Sequence, residues 1–451
     1  MGILHQAPAY RKLPPGPPGL PVIGSLLDFR RDPLEFFTSC ARRYGDVVRY
    51  QIGPVTAYLL NRPDYIEDAL TLHGRALVKG RALQAGRNLL GDGLLVSEGD
   101  VWLRQRRLAQ PAFHRERIAA YGAAMIDHAR RMLATWQDGE TRDIQREMVL
   151  LTLPIIVQTL FSVSLDREAG EVGRALQIYL DEFKHQIDQG MLIPSWLPTP
   201  SRWRAQRAIA RLESLIFRII HERRAGGLNN GDLLSMLLQA RDENDQPMTD
   251  RELRDEVMTL FLAGHETTAV TLTWTWYLLA THPEVEAKLA AELQNVLGGR
   301  WPSVADLPQL CYTEKVIKES MRVYPPVWVI TRMASQDIAI GGYPVPAGTS
   351  LALSQWVMHH DPRYFDRPDQ FNPDRWTDDF TRQLPKFAYF PFGGGPRICL
   401  GAQLAALEAA LLLAAIAQHF RLTLASPAPV KLWPALTLHP EHGISLKLVG
   451  R

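Results

Sequence analysis

The sequence predicts a mainly α-helical protein with small β-sheets. Apolar residues recur at helical spacing through most of the stretch from about 100 to 300. Short alternating or β-branched segments with Gly/Pro turns lie at 45–60 and 337–353, on either side of that stretch. Hydrophobic residues make up 46% and charged residues 22% of the chain, which supplies a large core and excludes a disordered or fibrous protein.

The elements follow in order along the chain. Residues 45–60 predict a hairpin that turns at Gly53 and Pro54. The helical spacing predicts helices near 115–136, 141–164, 169–189, 201–224 and 250–282. The last of these begins with a capping box, Thr249 and Glu252, and at 1.5 Å per residue it is about 48 Å long.

The C-terminal part mixes short elements with one buried helix. A helix over about 313–323 ends before Pro325, and short strands follow at 337–353. An irregular stretch covers 361–395. The final segment, 402–419, is apolar almost all round, so we expect a buried helix there.

Length, charge and cysteines limit the class of protein. A chain of 451 residues predicts about three domains or one large one, and no repeat or long linker divides it. A net charge of +2 gives no case for nucleic acid. Three cysteines make no disulfide framework, and the longest apolar runs are interrupted. We therefore expect a cytoplasmic protein without a membrane span.

One cysteine lies in an unusual loop, Phe392-Gly-Gly-Gly-Pro-Arg397-Ile-Cys399-Leu-Gly401. A lone cysteine is more often a buried structural residue. Here the glycines permit positive φ and close approach to a flat group, and the following helix and Arg397 favour a thiolate. One thiolate cannot close a zinc site, whereas a heme iron needs only one protein ligand.

This loop resembles the F-x-x-G-x-R-x-C-x-G signature of the cytochrome P450 family. The match includes Phe392, Gly395, Arg397, Cys399 and Gly401. The resemblance implies a cytochrome P450 fold around a buried heme b (iron protoporphyrin IX), with Cys399 as the iron ligand. The matching motifs run along the whole chain. We therefore expect one domain over 1–451, β-rich at about 45–75 and 325–395 and helical at about 100–323 and 402–420.

A second motif, Glu319-Ser-Met-Arg322, precedes a P-x-R motif that contains Arg375. A Glu/Arg pair three residues apart is commonplace on solvated helix faces. The motif resembles that of the cytochrome P450 family, in which the Glu/Arg pair is buried and the later arginine bonds to it. The resemblance implies a structural network of Glu319, Arg322 and Arg375 that holds the loop carrying Cys399.

The long helix carries Ala263-Gly264-His265-Glu266-Thr267-Thr268. Threonines that bond back to carbonyls bend helices without any function. The resemblance implies instead that Ala263 and Gly264 pass close over the heme. It assigns Glu266 and Thr267 as the acid and the alcohol that supply the two protons needed to split dioxygen. His265 is expected to have a packing role.

The two heme propionates need cationic or N–H partners. Trp102 and Arg106 resemble the family's W-x-x-x-R motif, and Arg332 and Arg397 are the other predicted partners. The neighbouring Arg104 and Arg107 are either a solvated face or a docking patch for an acidic electron carrier.

The predicted substrate contacts are mostly aliphatic, which indicates a lipophilic substrate. They are Leu89, Leu90, Leu262, Ala263, Val327, Val329 and Leu436. The segment 191–197 lies where the family has a mobile lid that could touch a membrane or guide substrate entry, although a helix-to-helix turn packed on its own body is the more ordinary explanation.

The resemblance implies a heme-thiolate monooxygenase that hydroxylates or epoxidises a lipophilic small molecule. It uses dioxygen and two electrons from a separate ferredoxin or flavodoxin with its reductase. Fatty acids and terpenoids are favoured, macrolides and steroids also fit aliphatic walls, and a heme-binding sensor is the alternative outside the enzyme class.

Overall fold

The computed structural model describes residues 13–163, 169–188, 199–227, 231–243, 245–427 and 429–451. The predicted lid at 191–197 lies outside these residues. The α-helices along the described chain are α1 (Leu26–Arg31), α2 (Pro33–Tyr44), α3 (Pro63–Glu67), α4 (Arg81–Ala85), α5 (Arg87–Leu90), α6 (Gly99–Ala109), α7 (Arg115–Leu133), α8 (Ile144–Phe161), α9 (Ala169–Asp188), α10 (Pro200–Gly226), α11 (Leu233–Gln239), α12 (Asp250–Thr281), α13 (Pro283–Leu297), α14 (Cys311–Val323), α15 (Gln355–His359), α16 (Asp378–Gln383) and α17 (Ala402–His419).

The strands of the described chain are short. They are β1 (Val47–Ile52), β2 (Val55–Leu60), β3 (Leu77–Lys79), β4 (Thr141–Asp143), β5 (Ile330–Ala334), β6 (Ile338–Ile340), β7 (Tyr343–Val345), β8 (Ser350–Leu353), β9 (Phe420–Leu424), β10 (Leu432–Pro434), β11 (Leu438–Pro440) and β12 (Ser445–Gly450). The prediction of a mainly α protein with small sheets is confirmed.

The chain divides into two compact units. Unit 1 comprises Met1–Gln84, Val329–Asp366 and Leu384–Ile398, and unit 2 comprises Ala85–Trp328, Arg367–Gln383 and Cys399–Arg451. Both units are assembled from segments that lie far apart in the sequence.

A five-stranded sheet organises unit 1, in the order β1-β2-β8-β5-β3. The predicted hairpin is confirmed, because β1 and β2 pair antiparallel from Val47↔Leu60 to Ile52↔Val55. The β2–β8 pair is parallel, and the remaining pairs of this sheet are antiparallel. Alternate side chains of these strands, among them Tyr58 and Leu351, are buried in the hydrophobic core of unit 1.

Helix α12 is the longest element of unit 2, at 32 residues. It begins at the predicted capping box, in which the Thr249 hydroxyl accepts the Glu252 N–H and the Glu252 carboxylate accepts the Thr249 N–H. Every residue from Leu253 to Leu262 is buried. A helix buried all round takes its stability mainly from packing, and α8 supplies the largest part of that packing, followed by α10.

Two helices are long and apolar enough to cross a membrane by length and composition, Ile144–Phe161 and Ala402–His419. These are the two interrupted apolar runs of the sequence, and the absence of a membrane span stays a prediction. In each helix 61% of the 18-residue window is buried inside the protein. Core helices pass the same test, and their burial accounts for their apolar sequences.

Candidate active site

Cys399 lies three residues before α17 in unit 2, and it is exposed. Protein atoms around the sulfur nevertheless raise the pKa of the Cys399 thiol. The Gly401 N–H and the Arg106 guanidinium act in the opposite direction and lower that pKa. The thiolate expected at Cys399 stays a prediction. A bound metal ion removes the thiol proton itself, because only the thiolate is a ligand.

The glycine loop before Cys399 belongs to unit 1. Gly393 and Gly395 have positive φ, as the sequence predicts. A Cβ on Gly395 would lie 2.0 Å from the Leu70 carbonyl oxygen, and one on Gly394 would lie 2.1 Å from the Phe387 ring. These glycines are therefore needed so that the loop packs against its own unit, a reason the sequence alone did not reveal.

The Glu319–Arg322–Arg375 network is present in unit 2. The Glu319 carboxylate accepts two hydrogen bonds from Arg322, both of 2.9 Å, and one of 2.8 Å from Arg375. It also accepts the Trp376 indole N–H at 2.9 Å and the Asn372 N–H at 3.0 Å. Glu319 and Arg322 are completely buried.

The network holds a distant piece of chain in place. Arg322 donates to the carbonyl oxygens of Pro368 and Gln370, at 2.6 and 3.0 Å. A buried arginine with a carboxylate and backbone acceptors around its planar fork is rigid. The motif therefore fixes the 367–376 segment on α14, and sequence reasoning missed the roles of Trp376 and Asn372.

The buried helix α12 opens at one point. Ala263 is exposed and Thr267, one turn later on the same face, is partly exposed. A small side chain at the centre of a buried helix leaves room for a flat group to lie against it. Among the described residues no cluster of three His, Cys, Asp or Glu side chains is placed to hold a metal ion. An exposed single thiol and this open helix face therefore fit a heme and not a metal ion held by protein ligands alone.

Gly264 has a different role from the predicted one. A Cβ on this residue would lie 2.5 Å from Cδ1 and 2.6 Å from Cγ1 of Ile156 on α8. The glycine is needed for close packing of α8 on α12. The predicted approach of Gly264 to the heme stays a prediction, and Ala263 is the small exposed residue on the open face.

Glu266 is buried and tied to the hairpin of β10 and β11. Its Oε1 accepts a hydrogen bond of 2.6 Å from the Thr437 hydroxyl and lies 3.0 Å from Nε2 of His439. Burial raises the pKa of Glu266, but His439 and Thr437 outweigh that effect and the net pKa is lowered. Glu266 is therefore a buried carboxylate with fixed partners, which sequence reasoning did not find.

Thr267 is partly exposed on α12, whereas His265 is buried on the same helix. The Thr267 hydroxyl donates to the Ala263 carbonyl oxygen at 2.8 Å. His265 is buried, with Nδ1 3.0 Å from the Phe261 carbonyl oxygen and its ring 5.7 Å from the Phe261 ring. The structure thus places His265 in the packed core, as expected.

The turn of the β10–β11 hairpin is bonded twice to one other segment of unit 2, residues 326–328. The Leu438 N–H donates to the Pro326 carbonyl oxygen at 2.9 Å, and the Trp328 indole donates to the Ala435 carbonyl oxygen at 2.9 Å. These two bonds bracket Val327 and Leu436, both of which are partly exposed. Two of the predicted substrate contacts therefore lie side by side.

Comparisons with known proteins agree with this geometry. The family model described as "Cytochrome P450" matches residues 14–447. The chain belongs to the cytochrome P450 family. It is a heme-thiolate monooxygenase of lipophilic small molecules, and its cofactor is heme b.

Named relatives of this cytochrome P450 cover nearly its whole length. The cyclooctat-9-en-7-ol 5-monooxygenase of Streptomyces melanosporofaciens is 40% identical over 90% of this chain and 88% of its own. The pentalenene oxygenase of Streptomyces avermitilis is 34% identical over 96% and 97%. A crystal structure of the cytochrome P450DA heme domain matches with a TM-score of 0.88 at 29% identity, over 98% of this chain and 99% of that chain.

The residues predicted to hold the propionates of this cytochrome P450 lie in both units. In unit 2, Trp102 and Arg106 are partly buried and share one face of α6. In unit 1, Arg332 is buried on β5, and Arg397 is partly buried beside Phe392 in the glycine loop. Their roles as cofactor contacts stay predictions.

Three predicted substrate contacts have little accessible surface. Leu89, Leu90 and Leu262 are 0%, 2% and 2% exposed, so these side chains pack in the core of unit 2. The structure does not support them as pocket walls. Val329, in unit 1, is partly exposed.

The arginines next to Arg106 have partners within the chain. Arg104 forms ion pairs with Asp242 at 2.9 Å and with Glu252 at 2.7 Å. Arg107 forms an ion pair with Glu243. Because both cations are already paired, the interpretation of this patch as a dock for an acidic carrier loses its support.

Proposed function

We propose that this cytochrome P450 oxidises a terpenoid hydrocarbon or a terpenoid alcohol. The observation that carries the proposal is the set of relatives that match over almost their full length. They are named cyclooctat-9-en-7-ol 5-monooxygenase, cyclooctatin synthase and pentalenene oxygenase, with identities of 40%, 38% and 34%. Relatives this similar over both chains commonly share a substrate class, and the terpenoid class agrees with the aliphatic residues predicted to face the substrate.

The accessible contacts of unit 2 suit such a substrate. Ala263, Val327 and Leu436 offer small or branched aliphatic surface. None of them supplies a cation for a carboxylate head group, which a fatty acid needs if it is to be bound at that end. We infer that the hydrocarbon skeleton is recognised mainly by shape and apolar contact.

Heme bound through Cys399 supplies the activation of dioxygen and the oxidation of the substrate carbon. Trp102 and Arg106, on one face of α6, would hold its propionates by hydrogen bonds and charge. Ala263 leaves room for the macrocycle. The Glu319 network holds the 367–376 segment on α14.

Glu266 and Thr267 move the protons. The Thr267 hydroxyl reaches the open face of α12 once it turns from the Ala263 carbonyl oxygen, and it then donates a proton on that face. Glu266, the buried carboxylate one residue earlier, takes up a proton from water and passes it to the Thr267 oxygen, which restores both groups.

Electrons come from a redox partner protein, and we propose a ferredoxin or a flavodoxin with its reductase. We place the protein in the cytoplasm, because its three cysteines are all free. Reconstitution with each carrier tests the choice. NADPH-driven product formation with neither carrier would contradict it.

A binding titration tests the substrate class. Diterpene and sesquiterpene alcohols are compared with a fatty acid of equal carbon number, and the heme absorption shift on binding is measured. We expect the terpenoids to bind at least tenfold more tightly and Leu436→Phe to weaken them. Leu72→Phe is the control, because Leu72 is 77% exposed. Tighter binding and faster oxidation of the fatty acid would overturn the proposal.

A further inference from the structure

A chain of four hydrogen-bonded side chains connects α8, the β10–β11 hairpin and α12. Nε2 of Gln145 lies 3.0 Å from Nδ1 of His439, and Nε2 of His439 lies 3.0 Å from Oε1 of Glu266. Thr437 is within 2.7 Å of His439 Nε2 and within 2.6 Å of Glu266 Oε1. Glu266, Thr437 and His439 are buried, at 3–4% exposure.

The chemistry of Gln145 fixes the histidine tautomer. An amide nitrogen donates and does not accept, so Nδ1 of His439 must be the acceptor in this contact. The proton of the neutral imidazole is then on Nε2, where it points toward Glu266 and Thr437. The Thr437 hydroxyl donates to the carboxylate, so all three polar groups are satisfied at once.

We propose that His439 is a positioning residue that acts through Glu266, with Gln145 holding the imidazole in its Nε2–H form. The inference rests on the proposed role of Glu266 in proton delivery. His439 holds the carboxylate in one orientation next to Thr267. In other acid–base sites a carboxylate and a histidine fix each other's orientation by the same kind of hydrogen bond. His439 lies 173 positions after Glu266 in the chain, outside the motif that runs from Ala263 to Thr268.

The position of His439 connects proton delivery to substrate binding. Leu436, one of the predicted substrate contacts, precedes Thr437 in the same hairpin turn. A ligand that displaces this turn also lengthens the Thr437 and His439 bonds to Glu266. A poorly fitting substrate should therefore divert more electrons to peroxide than a well-fitting one, through Glu266 and not through the heme ligand.

Other titratable groups face this cluster and belong in any pH comparison. His265 is the neighbour of Glu266 on α12, and Tyr179 approaches Glu266 from α9. Burial raises the pKa of Tyr179, and the charge of Glu266 raises it further, so Tyr179 stays neutral at physiological pH. Burial lowers the pKa of His265, so it also stays neutral. Glu266 is therefore the carboxylate whose protonation the experiment must follow.

The test combines a structural and a functional measurement on the heme-loaded protein. Nitrogen NMR of ¹⁵N-histidine protein in its diamagnetic reduced, CO-bound form reports the tautomer of His439. We expect the Nε2–H form in the wild type and a mixture of tautomers in Gln145→Leu. A wild-type Nδ1–H form would overturn the proposal, whatever the activity of the variants.

The functional arm measures coupling, the fraction of consumed NADPH that appears as product, across pH. Outer-shell hydrogen-bond partners contribute roughly tenfold or more, so we expect His439→Asn to lower coupling about tenfold and to add an acid limb to its pH profile. Substrate affinity should change less than twofold. His442→Asn is the matched control, because His442 follows β11, the strand that carries His439, and its side chain is 86% exposed.

The remaining variants separate this inference from the role of Glu266. Unchanged coupling in both His439→Asn and Gln145→Leu would overturn the positioning role. If His439→Asn does not fold, Gln145→Leu alone decides, since it leaves both buried partners in place. Unchanged coupling in Glu266→Gln would instead refute the proposed proton role of Glu266, while the NMR tautomer would still stand or fall by itself.

Discussion

Glu319→Gln is the sharpest test of how the structure holds its buried charges. The substitution keeps the size of the side chain and removes its charge. In the wild type the carboxylate accepts five hydrogen bonds, two of them from Arg322 and one from Arg375. A glutamine offers one oxygen, so its amide N–H₂ must face donors that previously met an acceptor.

The size of the effect follows from burial. Each hydrogen bond to a charged group is worth roughly 1.5–3 kcal/mol, and five of them would sum to about 10 kcal/mol if they were independent. They share one carboxylate, so they are not independent. Breaking a buried ion pair by neutralising one partner costs about 3–5 kcal/mol. We therefore expect Glu319→Gln to lower the free energy of unfolding by that amount.

The neighbouring side chains supply graded comparisons. Trp376→Phe removes one hydrogen bond to the same carboxylate, so it should cost about 1.5–3 kcal/mol. Lys288→Ala removes the exposed ion pair to Asp374, whose side chains are 57% and 52% exposed, so it should cost about 0–1 kcal/mol.

The assay is guanidinium unfolding of the heme-loaded protein, followed in parallel by far-ultraviolet circular dichroism and by heme absorbance. We expect the order Glu319→Gln, Trp376→Phe, Lys288→Ala from largest to smallest loss. The reasoning is refuted if Glu319→Gln unfolds within experimental error of Lys288→Ala.

Three further predictions concern α12 and its neighbours. Thr267→Ala should retain heme and substrate binding but divert electrons to peroxide, as measured by NADPH, product and peroxide balance; unchanged coupling would contradict the proton role. Gly264→Ala should destabilise the protein by about 1–3 kcal/mol through the clash with Ile156, and in urea unfolding this loss should be smaller when it is measured in an Ile156→Ala background. Burial raises the pKa of Glu408 from its ordinary value of 4.5 to about 8, although a hydrogen bond from Thr268 opposes it. The folded protein then holds a proton that the unfolded chain releases, so stability falls as pH rises through that window. Glu408→Gln should flatten this dependence in urea unfolding at about pH 5 and about pH 8, and an unchanged slope would show that Glu408 does not cause it.

Elements with strong local signals were predictable. The capping box and the proline-free run gave α12 within one residue, and helices α7, α8, α10 and α17 begin and end within three residues of their predicted bounds. Local hydrogen bonds and 3.6-residue spacing decide such helices. The hairpin at Gly53 was equally local.

Short elements were missed where tertiary contacts decide. The strands β9 to β12 and the helix α11 have too few residues for a clear period, and pairing with distant segments stabilises them.

The candidate site also combines residues that the sequence predicted with residues that only the structure revealed. A motif gave Glu319, Arg322 and Arg375, because family resemblance carries long-range information that spacing does not. It could not give the partners of Glu266, since His439 and Thr437 match no motif. Gly264 shows a different limit, because a glycine in a motif can serve helix packing as well as cofactor approach, and only the structure reveals its contact with Ile156.

The central claim, that Cys399 is the protein ligand of the heme iron, is tested most directly by the reduced CO spectrum of Cys399→Ala beside Cys311→Ala. Cys311 is exposed and carries no assigned role, so its variant should keep the red-shifted Soret band of a thiolate-ligated heme. Cys399→Ala should lose that band at equal folded protein. A thiolate-type band that survives in Cys399→Ala would contradict the account.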